Sequence, residues 1–292
     1  MDFLCGVRPR SVNELSLTRR EFLKGVGATA AVGVAGVSAY GGLVEAWDYE
    51  LTETVVSVRD LPERFEGFRI AQVSDVHHGR LVSIEEVRRV VGLANAARAD
   101  LVALTGDYTT SLREYVEPCA EVLGELSAPE GVWAVLGNHD HNTDGPLTRQ
   151  ALARRGINVL TNMNTELRRG ADALQLAGVD DWGWGKADFE RAMRGLDMSR
   201  PSVLLAHEPM ALDMPETRGV SLILSGHTHG GQVSLPFVGS PAAYVWKHLK
   251  YLRGMYESEG TQLYVSRGTG MIGVPVRIGA RPEVAVLRLQ KA

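Results

Sequence analysis

Five apolar runs that each stop at a polar residue of one chemical kind constrain this chain more than any other feature. Phe68–Ser74 runs into Asp75-Val76-His77, and Leu101–Thr105 into Gly106-Asp107. Gly131–Leu136 leads to Gly137-Asn138-His139-Asp140, Ser202–Ala206 to His207, and Ser221–Leu224 to Gly226-His227-Thr228-His229. Seven of the eight histidines, at 77, 78, 139, 141, 207, 227 and 229, lie in or beside these stretches, and only His248 lies elsewhere. Continuous Val/Leu/Ile runs read as buried strands, and strands alternating with helices imply a mainly parallel α/β layer. In such sheets ligands bind at the carboxyl ends of the strands. Asp75, His77, Asp107, Asn138, His139, His207, His227 and His229 are therefore expected on one rim. Each has a bland alternative alone: Asp75 as a cap, Asn138 in a turn, His207 as a core histidine. Five such strand ends together require a common cause.

The intervening segments fit. Glu50–Arg59 alternates as a strand does. Ser83 with Glu86 forms a capping box ahead of a Val87, Val90, Val91, Ala94 stripe. A helix is expected through Val116, Ala120, Leu123 and Leu126, another from Pro146 to Arg155, and a short strand at 157–160. Residues 173–179 read as a strand and 186–196 as a helix. Beyond Gln232 the pattern is mostly β, with strands near 261–266 and 283–289. The composition is ordinary for a globular chain, 45% hydrophobic and 23% charged. A net charge of −4 with a pI near 6.1 gives no basis for nucleic-acid binding. Two cysteines, Cys5 and Cys119, make no disulfide framework.

The donor types define the chemistry. Carboxylate, amide and imidazole groups without cysteine suit Mn, Fe, Zn or Co, not a thiolate zinc site. The set divides into two sites sharing one carboxylate: Asp75, His77, Asp107 and His229, then Asp107, Asn138, His207 and His227, with Asp107 as the bridge. Two divalent metal ions with two aspartates and one hydroxide keep a net positive charge, which suits an anionic substrate. Paired metals clamp a displacement at phosphorus and supply hydroxide near neutral pH. His139 is left over as the candidate catalytic general acid for the leaving alkoxide, with Asp140 as a candidate to orient it.

In order and spacing these blocks resemble the calcineurin-like metallophosphoesterases, across residues 70–232. The resemblance implies a four-layer α/β/β/α sandwich with a dinuclear centre and the ligand roles above. Arg267-Gly268-Thr269-Gly270, Pro275-Val276-Arg277 and Pro282-Glu283, with the leader, resemble an exported bacterial branch. The protein Ser/Thr phosphatases of that superfamily continue the second block with Asp-Arg-Gly. Here Gly106-Asp107 is followed by Tyr108-Thr109-Thr110, which argues against a phosphoprotein substrate. The expected activity is phosphodiester hydrolysis by a metal-bridging hydroxide, on a cell-envelope or lipid-linked substrate. The alternatives are a monoesterase or nucleotidase on the same centre, or a metal-stabilised binding protein.

Residues 1–46 read as an address. Thr18-Arg19-Arg20-Glu21-Phe22-Leu23-Lys24 precedes the uncharged Gly25–Val44 run, which is a twin-arginine export signal with Val37-Ser38-Ala39 as a cleavage site. The alternative is a retained anchor, since about 20 apolar residues can cross a bilayer. The twin-arginine machinery is thus an expected partner, with an extracytoplasmic location, and residues 47–292 are expected as one domain. Arg80, Arg267 and Arg277 are candidates for phosphate oxygens, or structural arginines. Asp181-Trp182-Gly183-Trp184-Gly185 is a candidate pocket loop, with buried packing as the plainer reading. Aromatic and basic residues interleave across 236–256, a candidate rim for a membrane surface or core packing.

Overall fold

The computed structural model describes residues 19–235, 238–241 and 250–292. Thr18 of the leader motif lies outside the described residues. So do Phe237, Tyr244, Val245, Trp246, Lys247, His248 and Leu249 of the 236–256 segment.

Twelve strands form two six-stranded mixed sheets among the described residues. The first sheet contains β1 (Glu50–Val58), β2 (Arg69–Val73), β3 (Leu101–Leu104), β4 (Val132–Ala134) and β5 (Asn158–Val159). The second contains β6 (Met163–Arg169), β7 (Asp172–Gly178), β8 (Ser202–Leu205), β9 (Leu222–Ser225), β10 (Gly254–Ser258) and β11 (Thr261–Val265). The last strand, β12 (Glu283–Lys291), returns to the first sheet and lies between β1 and β2. The orders are β1-β12-β2-β3-β4-β5 and β10-β11-β9-β8-β7-β6. Strands β2 to β5 run parallel, as do β7, β8, β9 and β11; β12 is antiparallel to β2, and β6 and β10 are antiparallel edges.

Apolar packing separates the layers. Phe65, Phe68, Ile70, Leu101 and Leu287 meet Leu174, Leu176, Val203, Leu222 and Leu224 between the sheets. The outer face of the first sheet is covered by α2 (Ile84–Ala96), α3 (Val116–Leu123) and α4 (Asn138–Arg154). The short α5 (Phe189–Met193) and neighbouring turns cover the second. This is the expected α/β/β/α arrangement. Ser83 caps α2, its hydroxyl accepting from the Glu86 amide.

Three local expectations change. Helix α4 begins at Asn138, eight residues before Pro146, and breaks at Asp144, where φ is −176°. Its polar first turn carries no apolar period, so only the half after Pro146 was legible. Helix α5 is shorter than 186–196, because Asp188 caps its start and Gly195 turns left-handed beyond its end. Strand β6 was not anticipated; only Leu167 along it is buried.

Helix α1 spans Arg19–Leu43, and its C-terminal end is tied to the rest of the chain. The Gly41 carbonyl accepts from the Arg277 amide at 3.1 Å, and the Glu45 carboxylate from the Ala280 amide at 3.0 Å. No helix among the described residues is long and apolar enough to cross a membrane.

Candidate metal centre

The parallel strands β2, β3, β8 and β9 point their carboxyl ends the same way, and the loops leaving them meet above the space between the sheets. Asp75 and His77 follow β2, Asp107 follows β3, and Asn138 opens α4 just after β4. His207 follows β8, and His227 and His229 follow β9. All seven candidate ligands converge, with His139 beside them.

Two groups of donor atoms are resolved. In the first, the Nε2 atoms of His77 and His229 lie 3.0 Å apart, and His229 Nε2 is 3.5 Å from Asp75 Oδ1. In the second, Asn138 Oδ1 lies 3.1 Å from His207 Nε2 and 3.0 Å from His227 Nδ1. Asp107 joins them: its Oδ2 is 3.5 Å from His77 Nε2 and 3.2 Å from His207 Nε2. The other oxygen, Oδ1, is occupied by the His139 amide at 2.8 Å. Asp75, His77 and His229, and separately Asp107, His207 and His227, are spaced to hold a cation each, and His139 shares a third such spacing with His77 and Asp107.

This donor set fits divalent metals. In each group buried imidazole and carboxylate donor atoms converge within ligand spacing with no lysine or arginine among them, a costly arrangement unless a cation lies between them. Burial pushes His77 down to about 3 and His227 to about 4, and holds His229 well below the usual imidazole range, so these rings are neutral as ligation requires. Burial also disfavours the charge on His207, but the adjacent Asp107 carboxylate outweighs it and raises that ring well above its ordinary value. The ring nitrogens facing away from the centre are held: His207 Nδ1 lies 2.7 Å from the Thr105 carbonyl and His77 Nδ1 3.1 Å from the Thr110 hydroxyl. Such outer partners orient ligating imidazoles. Thr105 and Thr110 carry no sequence signal for this role beyond their adjacency to a strand end.

The backbone is strained where the ligands sit. Asp75, His77, Asp107, His227 and His229 have φ of 53°, 51°, 59°, 72° and 53°. Non-glycine residues rarely adopt this region, and such strain concentrates at functional sites. Neighbouring glycines make room for it. A Cβ on Gly226 would collide with the Ser74 hydroxyl and the Asp75 carboxylate.

Other expectations are revised here. Asp140 does not orient the His139 ring. It is fully buried, and its carboxylate accepts from the amides of Asp107 (2.8 Å), Tyr108 (2.9 Å) and Gly137 (3.0 Å), locking together the loops that carry Asp107 and Asn138. Burial and the nearby Asp107 charge push it up to about 7. The His139 ring packs edge-on against His77, 4.9 Å between centroids, and its Nδ1 has no hydrogen-bond partner among the described residues. Arg277 is a structural arginine. Wholly buried, it donates to the carbonyls of Arg267, Gly268, Gly270 and Ala280 and lies behind His229. Arg267 is bound to Glu50 and Glu283. Arg80 alone of the three is exposed, at a cleft. Tyr251 and Tyr256 of the 236–256 segment pack on each other, and Tyr251 is buried.

Two clefts reach the centre. One, of about 360 Å³, meets it at His77 and is walled by Leu81, Leu112, Tyr115, Met271 and Ile272 with Arg80. The other, of about 270 Å³, meets it at Asn138 and His227 and is walled by Trp182, Trp184, Glu208 and Met210. The Trp182 and Trp184 side chains are therefore not buried packing; they are 48% and 64% exposed.

Comparison with known proteins agrees with this geometry. The profile of the calcineurin-like phosphoesterase family matches residues 68–231. An uncharacterized metallophosphoesterase of Bacillus subtilis, YkuE, is 34% identical over 281 residues, 94% of this chain and 98% of that protein. A zebrafish transmembrane protein with a metallophosphoesterase domain is 33% identical, covering 90% of this chain and 62% of its own length. The Escherichia coli phosphodiesterase YaeI is 28% identical over 94% of this chain and 99% of its own. With that match and this fold, the chain belongs to the calcineurin-like phosphoesterase family and is a metal-dependent phosphoester hydrolase.

Proposed function

We propose that the chain hydrolyses phosphodiesters at a centre of two divalent cations. One is held by Asp75, His77, Asp107 and His229, the other by Asp107, Asn138, His207 and His227. The observation that carries this reading is the position of Asp107 Oδ2, within 3.5 Å of His77 Nε2 and 3.2 Å of His207 Nε2 and so shared by both groups. When bound, such a metal pair supplies hydroxide near neutral pH and offsets charge on the phosphoryl oxygens. The chain's own contribution is position and protons. The His139 amide fixes Asp107, and the His139 ring, beside His77 and unpartnered at Nδ1, gives its proton to the departing alkoxide.

A diester carries two substituents, and two separate clefts meet the centre at different ligand groups. The cleft at His77 is mostly apolar, with one cation to meet an anionic oxygen, which supports a lipid-linked or cell-envelope diester. The similarity to a protein named as a phosphodiesterase supports the same reading. From Arg19-Arg20 and the uncharged run after them we also infer export by the twin-arginine route, and from the 236–256 segment contact with a membrane surface.

The test is turnover of a chromogenic phosphodiester and the matching monoester by the full chain, stripped of metal and reloaded separately with Mn, Fe, Zn or Co. Metal-dependent cleavage favouring the diester is expected. His139→Ala should lower kcat by about 10²–10⁴-fold with both metals retained, and Asp107→Asn should lose metal. Faster cleavage of the monoester, or no turnover with both metals bound, overturns the proposal.

A further inference from the structure

The cleft at Asn138 and His227 differs from its neighbour in kind. Its walls are the exposed faces of Trp182 and Trp184, the Glu208 carboxyl, and Pro209 and Met210. Large exposed aromatic side chains are unfavourable unless they meet something, and here they are held rigidly in that state. The loop 180–185 is tied on three sides. Asp181 Oδ1 accepts from the amides of Trp184 (2.6 Å) and Gly185 (3.3 Å). Glu208 accepts from the Trp182 amide at 3.2 Å, and Asp180 Oδ1 lies 2.7 Å from His141 Nε2, on the helix that carries Asn138. The Trp182 ring leans edge-on against Phe189.

The charge of the cleft is opposite to what its surroundings would select. A phosphoesterase centre is electropositive when loaded, and the other cleft carries Arg80. This one carries Glu208, and directly behind it Asp181 is fully buried; burial and the bond to the neighbouring Asp181 carboxyl push Glu208 up to about 7, so near neutral pH the two carboxyls share a proton and keep about one negative charge between them. A second buried carboxyl, unneutralised by any arginine or lysine on the cleft wall, works against an anionic arm. Aromatic faces with carboxylates beside them are complementary to an organic cation. A neutral apolar arm would gain from the tryptophans and nothing from the acids.

We propose that this cleft is the subsite for one of the two ester substituents of the substrate, and that it selects an alcohol bearing an ammonium group. The assignment rests on the phosphodiesterase reading above. The ammonium lies against Trp182 and Trp184, and the negative charge carried by the paired Glu208 and Asp181 carboxyls is its counter-charge. The remaining substituent occupies the apolar cleft at His77. Trp182, Trp184 and Glu208 then determine specificity without touching the reacting atoms.

Two measurements on the metal-loaded full chain test this. Calorimetric titration compares phosphocholine with 3,3-dimethylbutyl phosphate, its uncharged isostere, and with glycerol 1-phosphate. Turnover compares the 4-nitrophenyl diesters of the same three alcohols. We expect phosphocholine to bind at least tenfold more tightly than the isostere, and the choline diester to have a kcat/KM at least tenfold higher. In Trp184→Leu and Glu208→Gln both preferences should fall below threefold, the choline diester losing more kcat/KM than the dimethylbutyl diester in each. Equal affinity for the three phosphates overturns the proposal, as does preference for the glyceryl compound, which would mark a polyol site. If no diester is cleaved but the binding preference stands and is lost in the two variants, the phosphodiesterase reading fails and the cation subsite survives. If diesters are cleaved without discrimination, the reverse holds.

Discussion

Replacing Gly137 by alanine separates two effects of opposite sign. Gly137 has a φ of −108°, a conformation open to any residue. On backbone grounds alone the substitution should stabilise by about 0.4–1 kcal/mol, through the unfolded chain. The folded chain decides otherwise. The new Cβ would collide with Asp107 Oδ1 and lie 2.8 Å from both the Asp107 amide nitrogen and His207 Cε1. These contacts are tighter than van der Waals packing allows, and two of the atoms belong to Asp107. Overpacking of this kind costs about 1–3 kcal/mol. Pushing Asp107 away also breaks its bond from the His139 amide, a charge-assisted bond worth about 1.5–3 kcal/mol. The net expectation is a loss of about 2–5 kcal/mol, or roughly 4–20 °C in Tm at about 2–4 °C per kcal/mol. A displacement near 1 Å at the shared carboxylate should lower kcat/KM by about 10²-fold. Gly92→Ala is the control, since Gly92 lies on the exposed face of α2 with nothing within 4 Å of its Cβ position, and helix propensity predicts a gain of up to about 1 kcal/mol. Thermal unfolding, metal analysis and diester turnover are measured on both. If Gly137→Ala is as stable as Gly92→Ala and keeps turnover within threefold, Asp107 is not held as described.

Two other perturbations probe the surroundings. Arg277→Met removes a buried cation pushed down to about 10 by its burial and strands four carbonyls; unfolding should show a loss of about 2–4 kcal/mol, and metal affinity should fall through His229. The His141–Asp180 pair predicts a pH-dependent contribution. Burial disfavours the charged imidazole, but the bond and charge of Asp180 outweigh it and raise His141 above 6.5; burial likewise opposes the Asp180 charge, but His141 holds that carboxyl below 3.8. The contribution is therefore full between those ordinary values, lost as pH rises through the raised imidazole value, and lost as pH falls through the lowered carboxyl value. In denaturant unfolding, His141→Gln should cost about 1 kcal/mol at pH 5.5 and clearly less at pH 9; an equal cost at both refutes it.

The fold was largely legible because its central strands are continuous apolar runs. Leu101–Thr105, Ser202–Ala206 and Ser221–Leu224 have no charged residue, and Phe68–Ser74 carries only Arg69, Gln72 and the terminal Ser74 among apolar neighbours, so all four read as interior strands. The residue at which each run stops had to lie at a strand end. Parallel order then required those ends to share a rim, which is why Asp75, Asp107, His207 and His227 could be grouped without coordinates. Edge strands gave no such signal. Strand β6 buries little beyond Leu167 and β10 no residue fully, so their patterns are those of polar loops.

What the amino-acid order determined by itself was the type and number of donors and the sheet edge they share. What tertiary structure decided was which atom faces which. Left-handed φ at five candidate ligands cannot be read from side-chain types, because it is imposed by loops packed from both sheets. Whether an arginine is a ligand for phosphate or a brace depends on what surrounds it: four carbonyls enclose Arg277, two carboxylates hold Arg267, and Arg80 faces a cleft. The exposure of Trp182 and Trp184 follows from Asp181 within their own loop and from the distant partners Glu208 and His141 on two other segments. Contacts of that range carry no signature in local sequence, since each residue is ordinary alone and acquires its role only from neighbours brought to it by the fold.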